Sequence, residues 1–475
     1  MMKKSALIIA LSALSLTSFV YANEGLVSLD DQELSSIDGA ALINLSVVDP
    51  ENTNALMKAA NVGFYKLGMD AEMDINVNVK SLRLGCGGVN GAGACDIDID
   101  NLSLSGQSSS SDGRASSSAK LTNPFIELAI KNPKSASQRE VVGFRLSADK
   151  VVGLLTTGTE NTSKPNGINN LSGYMKVQSD SSGMIKGLAS TAGTRYNLYG
   201  SNQYGNLSVT GRLQALGLGG LAEVDFKTTA GGFNIPNIER NPFTTPAIVV
   251  NGTRMKDVTL VSQVKVPDIL LGDDKSGYPA AGTVSYNANG NPTGVTALGG
   301  KVTATVTGCD WLACLLAPTG SKFENVYMSG KITGITADLT LKQSLGLIHN
   351  LPINSAMSLS LQKQAIKWLG TNDDDIAQTG WWLSAKDPVN IGEVIPQDLI
   401  NIEQFFPQIG TAVSAYLNTN PAKTSDLGGL LKIGALTANI GNVDLSKSPL
   451  KLNVENLILN GQGFAPNCFG GLKFC

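Results

Sequence analysis

Apolar and polar residues alternate with a period of two over several stretches of this chain. Met73, Ile75, Val77 and Val79 are separated by Asp74, Asn76 and Asn78, and Ile335, Ala337, Leu339 and Leu341 are separated by Thr336, Asp338 and Thr340. Successive side chains of a strand point to opposite faces, so each run predicts a strand with one face buried. A second pattern interrupts the alternation: an apolar residue, any residue, a small polar residue, apolar, any, apolar, often followed by glycine. It occurs from Ile99 to Gly106, from Phe323 to Gly330 and from Val454 to Gly461, with looser copies from Val79, Met255 and Ile440. The step in its middle flips the phase of alternation, as a β-bulge does. The copies are irregularly spaced, which argues against a strict repeat period. Helical spacing appears over residues 396–417, where Leu399, Ile402, Phe405, Phe406 and Ile409 recur after a Pro-Gln-Asp start and Pro407 predicts a kink. The expected fold is mainly β: an elongated antiparallel sheet or sandwich-like system with bulged strands and one short helical segment, a β-solenoid being the alternative.

The pattern breaks in places. Residues 105–120 are rich in Ser and Gly and predict a flexible loop; residues 160–170 and 287–294 read as turns. Two β-rich regions follow, 41–245 and 246–475. Ahead of them, Lys3 and Lys4 precede an apolar run over residues 5–20, and Val20-Tyr21-Ala22 supplies small residues for cleavage after Ala22. This is the form of a secretory signal peptide, and the run is shorter than the ~20 residues of a spanning helix. Residues 23–40 then read as a second, acidic leader. Leu34 and Ile37 lie three apart on one helical face ahead of the small pair Gly39-Ala40, which predicts a second cut after Ala40. A capped helix that stays on the protein is the other reading.

Glycine accounts for 52 of 475 residues, aromatics for 6% and charged residues for 16%, the balance of a long β-rich protein. Formal charge is −3. Loss of the two lysines of residues 1–22 makes it −5, and loss of the five acids Glu24, Asp30, Asp31, Glu33 and Asp38 leaves the chain from Ala41 neutral. Without a basic balance or a Lys/Arg tract, nucleic acid is not an expected partner. The six cysteines fall into three local pairs, Cys86 with Cys95, Cys309 with Cys314 and Cys468 with Cys475. In an exported chain such pairs close short loops as disulfides.

Candidate chemistry is sparse. His349 is the only histidine, lies between apolar residues and has no nucleophile-elbow serine to serve, so it reads as structural or surface. With one histidine and no second cysteine pair at zinc spacing beside Cys309 and Cys314, no metal is expected there. Asp96, Asp98 and Asp100 suggest a calcium loop, but Asn101 stands where that loop turns on glycine and Gln107 where it closes on glutamate. Interleaved isoleucines favour a strand with its carboxylates on the solvent face. Gly217 to Ala222 matches a dinucleotide fingerprint by letter only, without the strand–helix context. Trp381 and Trp382 are the candidate binding surface, weighed against core packing. No catalytic residue, metal or cofactor is assigned, and an enzyme is not expected.

Residues 29–45, the segments Leu121-Thr122-Asn123-Pro124-Phe125-Ile126-Glu127 and Arg139-Glu140-Val141-Val142-Gly143-Phe144-Arg145-Leu146, and residues 348–382 together resemble the pilus-system proteins called FilA. These are large exported bacterial proteins of a fimbria-like surface system that also includes a cysteine peptidase of the kind that trims double-glycine leaders. The resemblance implies a structural or adhesive component of a Gram-negative cell-surface pilus, with other subunits, copies of itself and a leader peptidase as partners. The alternative expectation is a periplasmic or outer-membrane module binding lipid or glycan.

Overall fold

The computed structural model describes residues 42–88, 91–160, 165–178, 184–192, 208–216, 222–230, 233–234, 238–273, 283–299, 302–398, 400–402, 404–426, 429, 431, 436–464 and 466–469. Ala22, Gly39, Ala40, Cys475 and residues 217–221 lie outside them. The fold is mainly β and contains no solenoid. The strands form sheets of thirteen, ten and six members. Most pairings are antiparallel, while strand Leu450–Glu455 runs parallel to Thr336–Ser344 and Leu436–Asp444 parallel to Lys322–Thr333.

Ile335, Ala337, Leu339 and Leu341 are all buried, so the alternation of that run reads the core correctly. The run from Met73 to Val79 has the opposite fate. Met73 and Val77 are exposed, whereas Asn76 donates from Nδ2 to the Arg114 carbonyl at 2.8 Å and Asn78 to the Asn467 carbonyl at 2.8 Å. Alternation identifies the strands there, but which face is covered depends on hydrogen bonds to distant chain segments.

The interrupted pattern does mark backbone irregularity. Opposite Val302 and Ala304 stand Val326 and Phe323, an extra residue in the second strand, which is a bulge. In two other copies the small polar residue, Asn101 or Asn456, has φ of 50° or 53°, the left-handed region that asparagine tolerates.

In the ten-stranded sheet, strands Lys322–Thr333, Val302–Cys309, Glu223–Ala230, Thr210–Ala215, Ala422–Thr424 and Leu436–Asp444 pair in that order, and the last pairs back with the first. This closed ring is filled by side chains such as Leu213, Val224, Phe323, Met328, Leu436 and Ile440. Its remaining cavity is about 20 Å³, room for about one water and too apolar to hold it.

The helix expected over residues 396–417 occupies Phe405–Thr419, since Ile400–Asn401 is a strand. Pro407 falls in its first turn, where no N–H partner is lost, so the expected kink has no cause. A second correction concerns residues 105–120. They hold helix Ser111–Ala115, N-capped by Ser110, and the start of a strand. Arg114 of that helix is fully buried and donates to Ser105 Oγ at 3.0 Å, Thr156 Oγ1 at 2.8 Å and Ser103 Oγ at 2.5 Å. Burial pushes its pKa down to about 10, so it stays charged at neutral pH and ties the serine-rich segment to the sheet.

Candidate functional site

One margin of the thirteen-stranded sheet is built from strands here called β1 (Ile43–Val48), β2 (Val62–Met69), β3 (Ala119–Lys131), β4 (Glu140–Thr156), β5 (Met357–Gln362) and β6 (Gly380–Ala385), paired in that order. All five pairings are antiparallel, so residues in register share a face. The two faces differ sharply.

The first face carries the row Ser46, Lys66, Glu127, Arg145, Ser360 and Trp382. It is roofed by Met57 of helix Ala55–Ala59 and by Ile366, Trp368 and Ala377 from the connection between β5 and β6. Gly143 belongs here because a Cβ would lie 2.5 Å from Ile366 Cδ1. Under the roof, Glu127 and Arg145 form a buried ion pair. Arg145 also lies over the Phe125 ring at 5.3 Å and the Trp368 ring at 5.1 Å, and donates to the Leu369 carbonyl at 3.1 Å. Burial pushes the Glu127 carboxyl upward, and the Arg145 guanidinium offsets part of that. Asp375, likewise pushed up by burial, accepts from Trp382 Nε1 at 3.0 Å and from the Ser384 hydroxyl. A cavity of about 420 Å³ opens beside the pair, edged by Lys66, Asp149, Thr371 and Lys386.

The second face carries apolar rows in register. Leu45, Leu67, Ile126, Leu146, Leu359 and Leu383 form one; Val47, Tyr65, Leu128, Phe144, Leu361 and Trp381 form the next. At β5 and β6 these rows are partly covered: Leu359, Leu383 and Trp381 pack on the main core, while Leu361 is 40% exposed. Toward β1 the cover ends: Leu146 is 42% exposed, Ile126 41%, Leu67 49% and Leu45 71%. A contiguous exposed apolar patch of this kind makes the face a candidate interaction surface.

These placements revise several sequence readings. Trp382 is core and cannot form a binding surface; Trp381 is half-buried at the inner end of the apolar row. Asp96 does not share a solvent face with Asp98 and Asp100. It is buried, accepts from Arg254 Nε at 3.1 Å and from the Trp381 amide at 3.0 Å, while Asn169 bridges Asp98 and Asp100. Among the described residues no cluster of three or more His, Cys, Asp or Glu could hold a metal. His349 is buried, its Nδ1 2.7 Å from the Thr157 carbonyl, which can only accept; Nδ1 therefore carries the proton, and buried Nε2 has no partner among the described residues. Cys86–Cys95 and Cys309–Cys314 are disulfides, and Cys468 is disulfide-bonded, pointing to an oxidising compartment.

Two features escaped the sequence reading. Glu127 and Arg145 stand eighteen positions apart with no local signal, and only the register makes them a pair. Trp311 and Leu315, one turn apart on helix Trp311–Leu316, are 76% and 74% exposed; an i, i+4 apolar pair beside a cysteine was the available clue. No family model matches this chain, and no curated protein or solved structure matches it either.

Proposed function

We propose that this is an exported structural component of a fimbria-like surface assembly. The observation that carries the reading is the apolar face that runs out to the edge strand Ile43–Val48, uncovered among the described residues. That strand begins three residues after Ala40. Removal of residues 1–22 on export and of the acidic residues 23–40 by a leader peptidase would leave a neutral chain starting next to its own interaction strand. Disulfides support the export half of the reading, and no helix among the described residues is long and apolar enough to cross a membrane. The test is fractionation of the native host with intact mass of the recovered protein. Shearing is expected to release it in large assemblies with Ala41 as first residue; recovery only as free periplasmic protein starting at Asn23 would defeat the proposal.

The cavity of about 420 Å³ beside Glu127 and Arg145 favours a second reading, a binding module for a small polar or glycan ligand. Retention of the periplasmic protein on a glycan array, lost in Lys66→Ala, would support it over assembly.

A further inference from the structure

We infer that the occupant of the apolar face is a second copy of this chain, stacked face to face across a two-fold axis. The inference rests on the assembly reading and names its partner.

Three observations carry it. First, the face is an unfinished core. The side chains of one continuous row pass from packed (Leu383, Leu359) to open (Leu146, Ile126, Leu67, Leu45), so among the described residues the layer that packs on β5 and β6 stops while the apolar pattern continues. Second, the surface is uncharged: Ile43, Leu45 and Val47 of β1, Tyr65, Leu67 and Met69 of β2, and Ile126 and Leu128 of β3 share it without one ionisable carboxylate or cation. A two-fold contact sets each patch against itself, so like charges would face each other; a patch without them is self-complementary. Third, the extent approaches that of a stable interface. Ile43, Leu45, Val47, Leu67, Ile126 and Leu146 are each 41–71% exposed. At about 100 Å² open per side chain they offer ~600 Å², against about 800 Å² per partner in a standard stable interface. The half-buried Tyr65, Leu128 and Phe144 between them supply part of the difference.

The edge strand adds no charge to this face, since residues 42–48 contain none. A lipid surface is the less suited occupant, because membrane-surface elements set an apolar face beside a band of Lys and Arg.

The experiment uses the protein purified from its host, its first residue fixed by intact mass, and follows its size by sedimentation from nanomolar to micromolar concentration. The wild type is expected to dimerise. Ile126→Lys and Leu146→Lys, both away from the edge, are expected to stay monomeric with unchanged circular dichroism, and Trp311→Ala, on the separate exposed helix, to dimerise as wild type. Should the lysine variants fail to fold, Leu67→Ser is expected to weaken the dimer at least tenfold. A wild type that stays monomeric, a dimer indifferent to all three face variants, or a monomer that floats with anionic phospholipid vesicles through this face would each overturn the inference. A pure monomer recovered from sheared assemblies bound to a different protein overturns the second copy and leaves the assembly reading standing. A dimer found only in the free periplasm supports the second copy and removes the assembly reading.

Discussion

Strand Thr336–Ser344 and strand β2 at the sheet margin each set apolar residues at every second position, Ala337, Leu339 and Leu341 in one and Tyr65, Leu67 and Met69 in the other, and these meet opposite surroundings. In the first, Ala337, Leu339 and Leu341 are buried and their neighbours are half-exposed. In the second, Leu67 is half-exposed, while Lys66 and its row partners Glu127 and Arg145 face the roofed side. The difference teaches that period two reports a strand with two unlike faces, not which face a neighbour will cover. At the margin the covering elements, helix Ala55–Ala59 and the β5–β6 connection, landed on the face that carries Phe64, Trp382 and the Glu127–Arg145 pair. The opposite face is left open among the described residues.

The largest expected effect comes from undoing the roofed face. Glu127→Gln leaves the Arg145 guanidinium, 5% exposed, beside aromatic rings without its main counter-charge. Removing one member of a buried pair costs about 3–5 kcal/mol, while replacing both by apolar residues is often neutral or better. Urea denaturation should show that loss for Glu127→Gln and recovery of most of it in Glu127→Leu/Arg145→Met. Equal losses in single and double variants would mean the pair's surroundings, not its charges, hold the margin together.

Next comes the covered strand. Leu339→Ala removes a side chain that is 2% exposed and is expected to cost about 2–5 kcal/mol, depending on how far the neighbours close the gap. A cost below 1 kcal/mol in the same urea experiment would show that this strand is looser than its burial implies.

A smaller, pH-dependent effect belongs to His349. Burial pushes its pKa below the ordinary 6.5, and the bond to the Thr157 carbonyl offsets this only in part. The unfolded chain therefore takes up a proton near pH 6.5 that the folded chain refuses, and stability falls as pH drops from about 7.5 through 6.5 toward the folded value. Each unit of depression is worth about 1.4 kcal/mol. Glu127 and Asp375, pushed upward by burial, act in the opposite sense, so the informative measurement is wild type against His349→Gln. The variant should lose less stability between pH 7.5 and 5.5; parallel curves would show that the imidazole is protonated without penalty.

Much of this architecture was legible in the residues and part was not, for physical reasons. Strand identity, the buried run from Ile335 to Leu341 and the disulfides Cys86–Cys95 and Cys309–Cys314 follow from spacing alone. The closed six-strand ring does not, because its parallel pairings join Thr210–Ala215 to Ala422–Thr424 across half the chain. Nor does Arg114, whose serine-rich surroundings read as a loop until Ser103, Ser105 and Thr156 are seen to supply its acceptors. The candidate site was missed for the same reason: Trp381-Trp382 stood out by rarity, whereas the leucine row is dispersed over six strands and exists only in register.

The smallest expected effect is also the sharpest test of the comparison. Leu67→Ser, measured at a concentration where copies do not associate, should change folding stability by no more than about 0.5 kcal/mol, the usual range for surface positions. Leu339→Ser must cost several times more, since it replaces a buried leucine by a hydroxyl inside an apolar core. If Leu67→Ser proves as costly as a core change, the margin is packed within the single chain and its apolar face is not a surface at all. If it is silent in the monomer but moves the concentration at which copies associate, the leucine acts between molecules, and the open apolar face of β2 is explained by a partner rather than by the fold.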